Sequence, residues 1–331
     1  MPGFYNSGSR GTIVGKGDDE FDPEDASKQL REAMSGLGTN EAIIIDVVTA
    51  HNYEQRQIIR DKFKTMYGQD VDKDLESELG GTFAKVITGL MQDPEEYLME
   101  QVNSAIKGIG TNERKLVSLL CCRTNDELTE MKEAYKNKYG SEMEEDVTDD
   151  LSGDVRTLMV SLINAGRDES EAIDPDKVRE DAQALFDAGP GQVGTKEEVY
   201  NAIFNCRSPA HMREVFDMYE EVAEGKTIEE TIDSEFDGSV QAAYTAMIKS
   251  FRNMVAYNAE RLHDATSGVG TDDDTLIEIL VTRSEIDLRD ILEFYEGKYG
   301  KPLVDVVASE TSGDYRKTLT RILGEEVSDN E

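Results

Sequence analysis

Tryptophan is absent from the 331-residue chain, and aromatic residues make up only 7% of it. Basic residues are also few, since 35 lysines and arginines stand against 70 aspartates and glutamates, which gives a formal net charge of −35. Nucleic-acid binding needs clustered positive charge with interleaved aromatic side chains, so this class of function is excluded. The same negative charge opposes direct contact with an anionic membrane, which would need a cation between the two surfaces.

Cysteine is scarce, with three residues and no Cys-x-x-Cys spacing. An odd number of cysteines argues against a disulfide framework and predicts a reducing compartment. Cys122 and Cys206 each precede an arginine at equivalent positions of an internal repeat. We therefore expect them to be small buried side chains near a helix end.

Long hydrophobic runs are also lacking, because no stretch approaches the roughly 18 apolar residues of a membrane span. The N-terminus has no basic region followed by an apolar run, and glycine stands at position 3 rather than 2. These features argue against a signal peptide and against myristoylation. The expected localisation is cytoplasmic, with reversible peripheral contact to membranes.

The main feature that the chain does contain is a glycine-x-glycine-threonine turn. Three regular copies begin at Gly36, Gly108 and Gly268, and an altered copy spans residues 188–195. In each regular copy an acidic residue lies 42 positions after the first glycine. These residues are Glu78, Asp150 and Glu310. Because about one residue in five is acidic, three acids at one chosen offset would arise by chance about once in a hundred.

Apolar residues recur with helical period between these turns, and no segment alternates as a strand does. The pattern predicts an all-α fold with five short amphipathic helices in each of four repeats. The expected segments are an N-terminal flexible arm (1–23), repeat 1 (24–93), repeat 2 (94–166), a linker (167–176), repeat 3 (177–251), repeat 4 (252–325) and an acidic tail (326–331). The loop threonines, Thr39, Thr111, Thr195 and Thr271, stand where a helix N-cap is expected.

Each turn and its distant acid predict a calcium site. Calcium takes six to eight oxygen ligands and readily combines backbone carbonyls, a bidentate carboxylate and water. Glycine leaves no side chain between a carbonyl and the ion. The predicted ligands are Met34, Gly36, Gly38 and Glu78 in repeat 1, Ile106, Gly108, Gly110 and Asp150 in repeat 2, and Thr266, Gly268, Gly270 and Glu310 in repeat 4. The alternative for any single turn is an ordinary helix connection, capped by threonine.

These turns and acids resemble the annexin family, whose repeats have this glycine-threonine turn and a downstream acid before Thr-Ser-Gly, as in Glu310-Thr311-Ser312-Gly313. Further similar segments are residues 181–186, 228–233 and 284–288, and the resemblance covers residues 24–325. It implies a curved disc of four five-helix repeats with calcium loops on the convex face. It also implies calcium-dependent binding to acidic phospholipid, with Ca²⁺ bridging loops and lipid headgroups.

The chain departs from the family pattern in several places. In annexins a basic residue often precedes the first glycine of the turn. In this chain only Lys107 does so, and we expect it to face lipid. The third loop is altered, and Gln192, Gly194 and Glu235 could bind calcium there in a modified way. Secondary calcium positions implied by the family are Thr39 with Glu41 and Thr111 with Glu113, for which helix capping and first-turn acids are the alternative explanation.

Other functions find less support. The three histidines are isolated, and no HExxH, GxSxG or P-loop pattern occurs, so we expect no enzymatic activity. Residues 233–238 begin like an EF-hand loop, but Tyr244 holds the twelfth position, where a glutamate is required. Two competing hypotheses are a helical scaffold that binds a protein partner, through a concave face or the arm, and a calcium-permeable pore. Self-association on membranes is an expectation from the resemblance alone.

Overall fold

The computed structural model describes residues 8, 10–36, 38–107, 110–164, 166–191, 194–268 and 270–324. These residues form twenty α-helices, and no β-strand lies among them. The helices follow one another as four successive groups of five, so the predicted all-α class and repeat architecture are confirmed. The boundaries given above for the arm, linker and tail stay predictions.

The five helices of each repeat are short, and their bounds are as follows. Repeat 1 contains α1 (Pro23–Ala33), α2 (Glu41–Ala50), α3 (Tyr53–Tyr67), α4 (Val71–Glu78) and α5 (Gly81–Met91). Repeat 2 contains α6 (Pro94–Ile106), α7 (Glu113–Leu120), α8 (Asn125–Tyr139), α9 (Met143–Asp149) and α10 (Gly153–Ile163). Repeat 3 contains α11 (Pro175–Ala188), α12 (Glu197–Cys206), α13 (Pro209–Val222), α14 (Ile228–Glu235) and α15 (Gly238–Arg252). Repeat 4 contains α16 (Met254–Ser267), α17 (Asp273–Arg283), α18 (Leu288–Tyr299), α19 (Leu303–Glu310) and α20 (Gly313–Ile322).

The chain divides into two compact units. One unit combines Ser7–Pro94 with Asn258–Glu331, and so joins repeats 1 and 4, while Glu95–Tyr257 forms most of the other, which joins repeats 2 and 3. In the first unit α2 contacts α20 and α17 contacts α5; in the second, α7 contacts α15 and α12 contacts α10. Within each unit, therefore, the second helix of one repeat packs against the fifth helix of the other.

Buried aromatic side chains fix the end of α14, where an acid predicted to bind calcium lies. The ring of Phe236, the residue after α14, has its centroid 4.9 Å from those of both Tyr200 and Tyr244. Tyr200 and Tyr244 are fully buried, and each makes a hydrogen bond through its hydroxyl, to Leu185 O and Asn201 Oδ1 respectively. Such satisfied aromatic clusters hold their neighbours rigidly.

An arginine ends the second helix, or follows it closely, in three of the four repeats, and each is paired with a carboxylate. The pairs are Arg123 with Glu127 at 3.8 Å, Arg207 with Asp181 at 2.6 Å and Arg283 with Asp287 at 2.6 Å. In repeat 1 the equivalent residue is His51, which is buried and whose pKa is lowered mainly by that burial. Arg56 supplies a guanidinium there instead, with Nε donating to Leu90 O at 2.6 Å and Nη2 2.7 Å from Glu285 Oε1.

The prediction of buried cysteines holds for Cys122 but is wrong for Cys206. Cys121 and Cys122 are buried, whereas Cys206 is exposed. Helix α12 continues through Cys206, while α7 ends at Leu120, two residues before Cys122. Because the backbone differs at the two equivalent positions, their side chains have different surroundings.

Residues 10–16, for which composition alone predicts no fold, contact repeats 1 and 4 within their unit. At one end the guanidinium of Arg10 lies 2.7 Å from Asp290 Oδ1 and 2.7 Å from Glu293 Oε2. At the other end the side chain of Gln55 exchanges two hydrogen bonds with the backbone of Lys16, at 2.9 and 2.6 Å. We call residues 10–16 the docked arm.

The middle of the docked arm approaches the backbone of residues 284–285 closely. Ile13 is buried, and its amide donates to Ser284 O at 3.0 Å. A Cβ atom at Gly11 would lie 2.6 Å from the backbone of both Ser284 and Glu285, where no flexible side chain can give way. We expect Gly11→Ala to displace the arm and to lower the free energy of unfolding by about 1–3 kcal/mol. Urea unfolding and limited trypsin cleavage after Arg10 measure both effects.

Gly17→Ala is the matched control for this substitution. Gly17 lies just beyond the docked arm, and no atom stands within 4 Å of a Cβ built on it. We expect this variant to unfold and to be cleaved like the unchanged protein. Equal protease sensitivity of the Gly11→Ala and Gly17→Ala proteins would show that the close approach at Gly11 does not hold the arm.

Candidate calcium-binding loops

Each repeat has a short loop between its first and second helices, and the same backbone hydrogen bond closes all four loops. An amide just before the second helix donates to a carbonyl at the end of the first helix, at 2.8 Å in every repeat. The pairs are Asn40 with Ala33, Asn112 with Ala105, Lys196 with Ala188 and Asp272 with Ala265. The third pair is one residue further apart than the others, so the altered loop accommodates an extra residue and still closes in the same way.

The last glycine of every loop has a positive φ angle. The values are 91° at Gly38, 87° at Gly110, 85° at Gly194 and 85° at Gly270. No atom lies within 4 Å of a Cβ built at any of the four, so backbone conformation, rather than crowding, requires glycine there. The loop backbone is consequently uncovered by side chains at this point, as a site built from carbonyl oxygens needs.

The distant acid lies at the end of the fourth helix in every repeat. Glu78, Glu235 and Glu310 are the last residues of α4, α14 and α19, and Asp150 directly follows α9. Three residues after each acid, a glycine with φ between 58° and 63° begins the fifth helix: Gly81, Gly153, Gly238 and Gly313. Because this spacing is shared, Glu235 is the structural counterpart of the other three acids.

The loop threonines are not helix N-caps, so that prediction is wrong. The N-caps are the residues that follow them: Asn40, Asn112, Lys196 and Asp272. In repeat 2, for example, Asn112 Oδ1 accepts a hydrogen bond from the amide of Lys115 at 3.1 Å. Asparagine and aspartate cap helices at least as well as threonine does. The threonine hydroxyls are therefore available for another partner.

That partner is the distant acid in three of the four repeats. The contacts are Thr39 Oγ1 to Glu78 Oε2 at 2.9 Å, Thr195 Oγ1 to Glu235 Oε2 at 2.6 Å and Thr111 Oγ1 to the backbone oxygen of Asp150 at 3.1 Å. In the described part of repeat 4 we find no such bond between Thr271 and Glu310. Turn and acid, which are about 40 residues apart in the sequence, thus lie in direct contact in repeats 1 to 3.

The predicted carbonyl ligands lie at the start of the loops, where the first helix ends. Met34 directly follows α1 and is half-buried, whereas Ile106 and Thr266 are buried within the last turn of their helices. The glycines predicted as ligands in the described residues, Gly36, Gly38, Gly110, Gly194, Gly268 and Gly270, are all exposed. Gly108 and Gln192 lie outside the described residues.

The residues predicted for secondary sites are in part occupied by other contacts. Glu41 is half-buried at the start of α2, and Glu113 accepts a hydrogen bond from the hydroxyl of Ser239 in α15. Asp273, the first residue of α17, accepts a hydrogen bond from the Tyr315 hydroxyl at 2.8 Å. A protein hydroxyl thus already engages one carboxylate oxygen of both Glu113 and Asp273.

Lys107, predicted to face lipid, is exposed at the end of α6. Its Nζ lies 4.7 Å from the centroid of the Tyr139 ring. A cation in this position is attracted to the ring face.

In the described residues, no three His, Cys, Asp or Glu side chains group closely enough to hold a metal ion. A calcium site at these loops would therefore draw on backbone carbonyls with one carboxylate, a donor set that calcium accepts and softer metals do not favour. The residues present fit this requirement, since each loop combines exposed glycine backbone with one acid at a helix end. Glu78, Asp150 and Glu310 are themselves exposed to solvent.

Within each unit, a side-chain contact joins the start of the second helix of one repeat to the fifth helix of the other. In the unit of repeats 2 and 3, Glu113 at the end of the second loop contacts Ser239, four residues after Glu235. In the unit of repeats 1 and 4, Asp274 just after the fourth loop lies 2.9 Å from Lys85, which follows Glu78 by seven residues. Both candidate sites of a unit therefore lie at the same end of its helices.

Comparison with known proteins identifies the class to which these loops belong. The family model described as Annexin matches residues 24–90, 97–162, 180–247 and 257–322. Annexin A13 of Mus musculus is 42% identical over 303 residues, which cover 92% of this chain and 95% of that protein. Annexin A5 of Homo sapiens is 43% identical over 306 residues, with 92% and 95% covered.

Solved structures agree with this result. Annexin III superimposes with a TM-score of 0.93 at 35% identity, over 96% of this chain and 98% of the other. A calcium-bound annexin (Sm)1 superimposes with a TM-score of 0.83 at 31% identity, over 97% and 94%. The chain belongs to the annexin family.

Annexins in general bind phospholipid in a calcium-dependent manner, and they are membrane-binding proteins rather than enzymes. In the parts of the chain that the structure covers, none of the helices is both long and apolar enough to cross a bilayer.

Proposed function

We propose that this protein binds acidic phospholipid membranes peripherally and reversibly, with Ca²⁺ held between its loops and the lipid headgroups. The observation that carries this proposal is the contact between loop and acid: Thr39 with Glu78, and Thr195 with Glu235. Each contact brings an exposed glycine loop and one carboxylate to the same place. That combination suits a cation with oxygen ligands and leaves room for ligands from another molecule.

The proposed ligands are the loop carbonyls with one carboxylate in each repeat. They are Met34, Gly36, Gly38 and Glu78 in repeat 1; Ile106, Gly108, Gly110 and Asp150 in repeat 2; and Thr266, Gly268, Gly270 and Glu310 in repeat 4. One carboxylate per divalent cation leaves a local positive charge. Phosphate or carboxylate oxygens of acidic lipids can then complete the coordination, which is how a chain of net charge −35 could hold an anionic surface.

We extend the proposal to repeat 3, with Gln192, Gly194 and Glu235 as ligands. Three features support this extension: the shared φ of Gly194, the shared position of Glu235 before Gly238, and the Thr195 contact. The proposal includes secondary positions at Thr39 with Glu41 and at Thr111 with Glu113. At the second of these, Ser239 already donates to one carboxylate oxygen of Glu113.

Several weak sites acting together explain how reversible binding can still be strong. Once one loop is bound, the second loop of the same unit is held close to the membrane at high effective concentration. Calcium and lipid should consequently raise each other's apparent affinity by the same factor. Membrane-bound and free cytoplasmic protein would exchange as calcium changes, and the proposal includes no enzymatic activity.

The competing hypothesis is a scaffold that binds a protein partner, with calcium adding only stability. In this alternative a partner would meet the docked arm as an ordered segment rather than as a free peptide, because Arg10 pairs with Asp290 and the backbone of Lys16 bonds to Gln55. Self-association on the membrane is compatible with either hypothesis.

Co-sedimentation with phosphatidylserine vesicles and with phosphatidylcholine vesicles, across a calcium titration and with chelator, tests the proposal. We expect pelleting only with phosphatidylserine and calcium, reversed by chelator. Calcium binding to the protein without pelleting on either vesicle would contradict the membrane proposal and favour the scaffold.

A further inference from the structure

The loop threonines of repeats 1 and 3 make the same contact although their loops differ in length. Thr39 Oγ1 lies 2.9 Å from Glu78 Oε2, and Thr195 Oγ1 lies 2.6 Å from Glu235 Oε2. Both threonines are half-buried and precede the N-cap residue, so their hydroxyls have no role in capping. A contact that persists despite an extra residue in the loop indicates that these positions are built to meet the carboxylate.

The hydroxyl engages only one oxygen of each carboxylate. An ionised carboxylate has about four lone-pair positions, so one hydrogen bond leaves the other oxygen and further lone pairs for a cation. A glutamate side chain at a helix end otherwise has considerable rotamer freedom, which is lost when it binds an ion. A hydroxyl that already holds the side chain reduces that loss before the ion arrives.

Repeats 2 and 4 lack this arrangement in different ways. Thr111 donates to the backbone oxygen of Asp150, at 3.1 Å, and so does not hold the carboxylate itself. Asp150 is one methylene shorter than glutamate and follows α9 rather than ending it. In repeat 4 the described residues include both Thr271 and Glu310, yet no hydrogen bond joins them.

We propose that Thr39 and Thr195 are positioning residues, which hold the side chains of Glu78 and Glu235 in place for calcium. The conformational entropy that the ligand side chain loses on binding the ion is then smaller at these two sites than at that of repeat 2. This inference rests on the proposed function, because it assumes that both acids are calcium ligands. At the sites of Glu78 and Glu235, Thr39 and Thr195 touch the ligand carboxylate rather than the ion that it binds.

The test uses full-length chains in which one site is kept at a time. In a background with Asp150→Asn, Glu235→Gln and Glu310→Gln, Thr39→Val removes the hydroxyl at nearly constant volume. We expect calcium affinity, measured by calorimetry without lipid, to fall about 3- to 10-fold, the range for one lost hydrogen bond and the rotamer restriction it gives. Thr39→Ser keeps the hydroxyl and should restore the affinity to within about 2-fold.

Thr271→Val, in a background that keeps only Glu310, is the matched control. Because no hydrogen bond joins Thr271 to Glu310 in the described part of repeat 4, we expect less than about a 2-fold change in calcium affinity. A second readout needs no calcium: in chelator, the ¹³C shift of the Glu78 carboxyl should change in Thr39→Val and return in Thr39→Ser. Thr195→Val repeats both measurements in a background that keeps only Glu235.

The outcomes separate this inference from the proposed function. A single-site background that binds no calcium, even with its threonine intact, would contradict the proposed ligands of that repeat. A background that binds calcium equally well with and without the Thr39→Val substitution, and whose Glu78 carboxyl shift does not move, would overturn the positioning role alone. Equal losses for Thr39→Val and Thr271→Val would show a general effect of the loop rather than of the carboxylate contact.

Discussion

Replacing Glu78, Asp150 and Glu310 together by Gln, Asn and Gln should abolish calcium-dependent pelleting with phosphatidylserine vesicles. Each substitution keeps the side-chain shape but removes the only negative charge that the proposed site offers to the ion. A neutral amide is a much poorer ligand, so each site should lose at least about tenfold in calcium affinity. Only the proposed site of repeat 3, with Glu235, stays intact in this variant. A single weak site lacks the gain in effective concentration that several sites give, so we expect no pelleting up to millimolar calcium.

The control for this variant changes the same net charge at neighbouring exposed acids: Glu76→Gln, Asp149→Asn and Asp305→Asn. All three lie on the helices that carry the proposed ligands, and none is a proposed ligand. We expect this chain to pellet at nearly the calcium concentration that the unchanged protein needs. Loss of pelleting in both chains would indicate bulk charge rather than specific sites. Normal pelleting of the first variant would show that these three acids are not required ligands.

The pairing of loop and acid is the part of the site that the sequence predicts well. The regular offset from Gly36 to Glu78 is a local signal repeated along the chain, and the structure brings the two regions into contact. Repetition succeeds here because each repeat is one packing unit, so a constant spacing in sequence gives a constant geometry. The calcium ligands themselves stay predictions.

The role of the threonines could not be found from motif position alone. Thr39 and Asn40 are both good N-cap residues, and only the backbone of the loop decides which one caps α2. A signal did exist, since Asn or Asp recurs directly after the threonine at Asn40, Asn112 and Asp272.

Contacts between distant, non-repeated segments left no pattern in the sequence. The docked arm depends on Arg10 meeting Asp290, 280 residues away, and on Gly11 fitting against the backbone of Ser284. A glycine-rich and serine-rich composition predicts flexibility because it says nothing about such partners. Similarly, the sequence shows His51 at the position where the other repeats have arginine. Only the structure shows that Arg56 supplies the guanidinium there instead.

Asp181→Asn should produce the largest loss of stability among single substitutions of polar residues in repeat 3. Asp181 is buried in α11 and accepts hydrogen bonds from Arg207 at 2.6 and 3.0 Å and from His211 Nε2 at 2.8 Å. An amide can accept through only one oxygen, and it cannot balance the guanidinium. Since Arg207 is partly exposed, solvent moderates the effect, and we expect a loss of about 2–3 kcal/mol at pH 7.

The stability that Asp181→Asn loses should depend on pH. Burial alone would raise the pKa of Asp181, but the hydrogen bonds and charges of Arg207 and His211 outweigh it and hold the pKa below its usual value. A carboxyl whose pKa is lowered on folding stabilises the protein above its unfolded pKa of about 4, and this contribution disappears as the pH falls through the folded pKa. The difference between Asp181→Asn and the unchanged protein should therefore be full at pH 6–7 and shrink below about pH 4.

Glu180→Gln is the matched control, because Glu180 is the exposed neighbour on the same helix and the substitution removes the same charge. Thermal unfolding at pH 7 should place this chain within about 0.5 kcal/mol of the unchanged protein, as for most surface substitutions. If Asp181→Asn were no less stable than Glu180→Gln at pH 7, the Arg207 and His211 contacts would not stabilise repeat 3. If the stability deficit of Asp181→Asn stayed constant down to pH 3, packing would be its cause, because the contribution of an ionised carboxylate decreases at low pH.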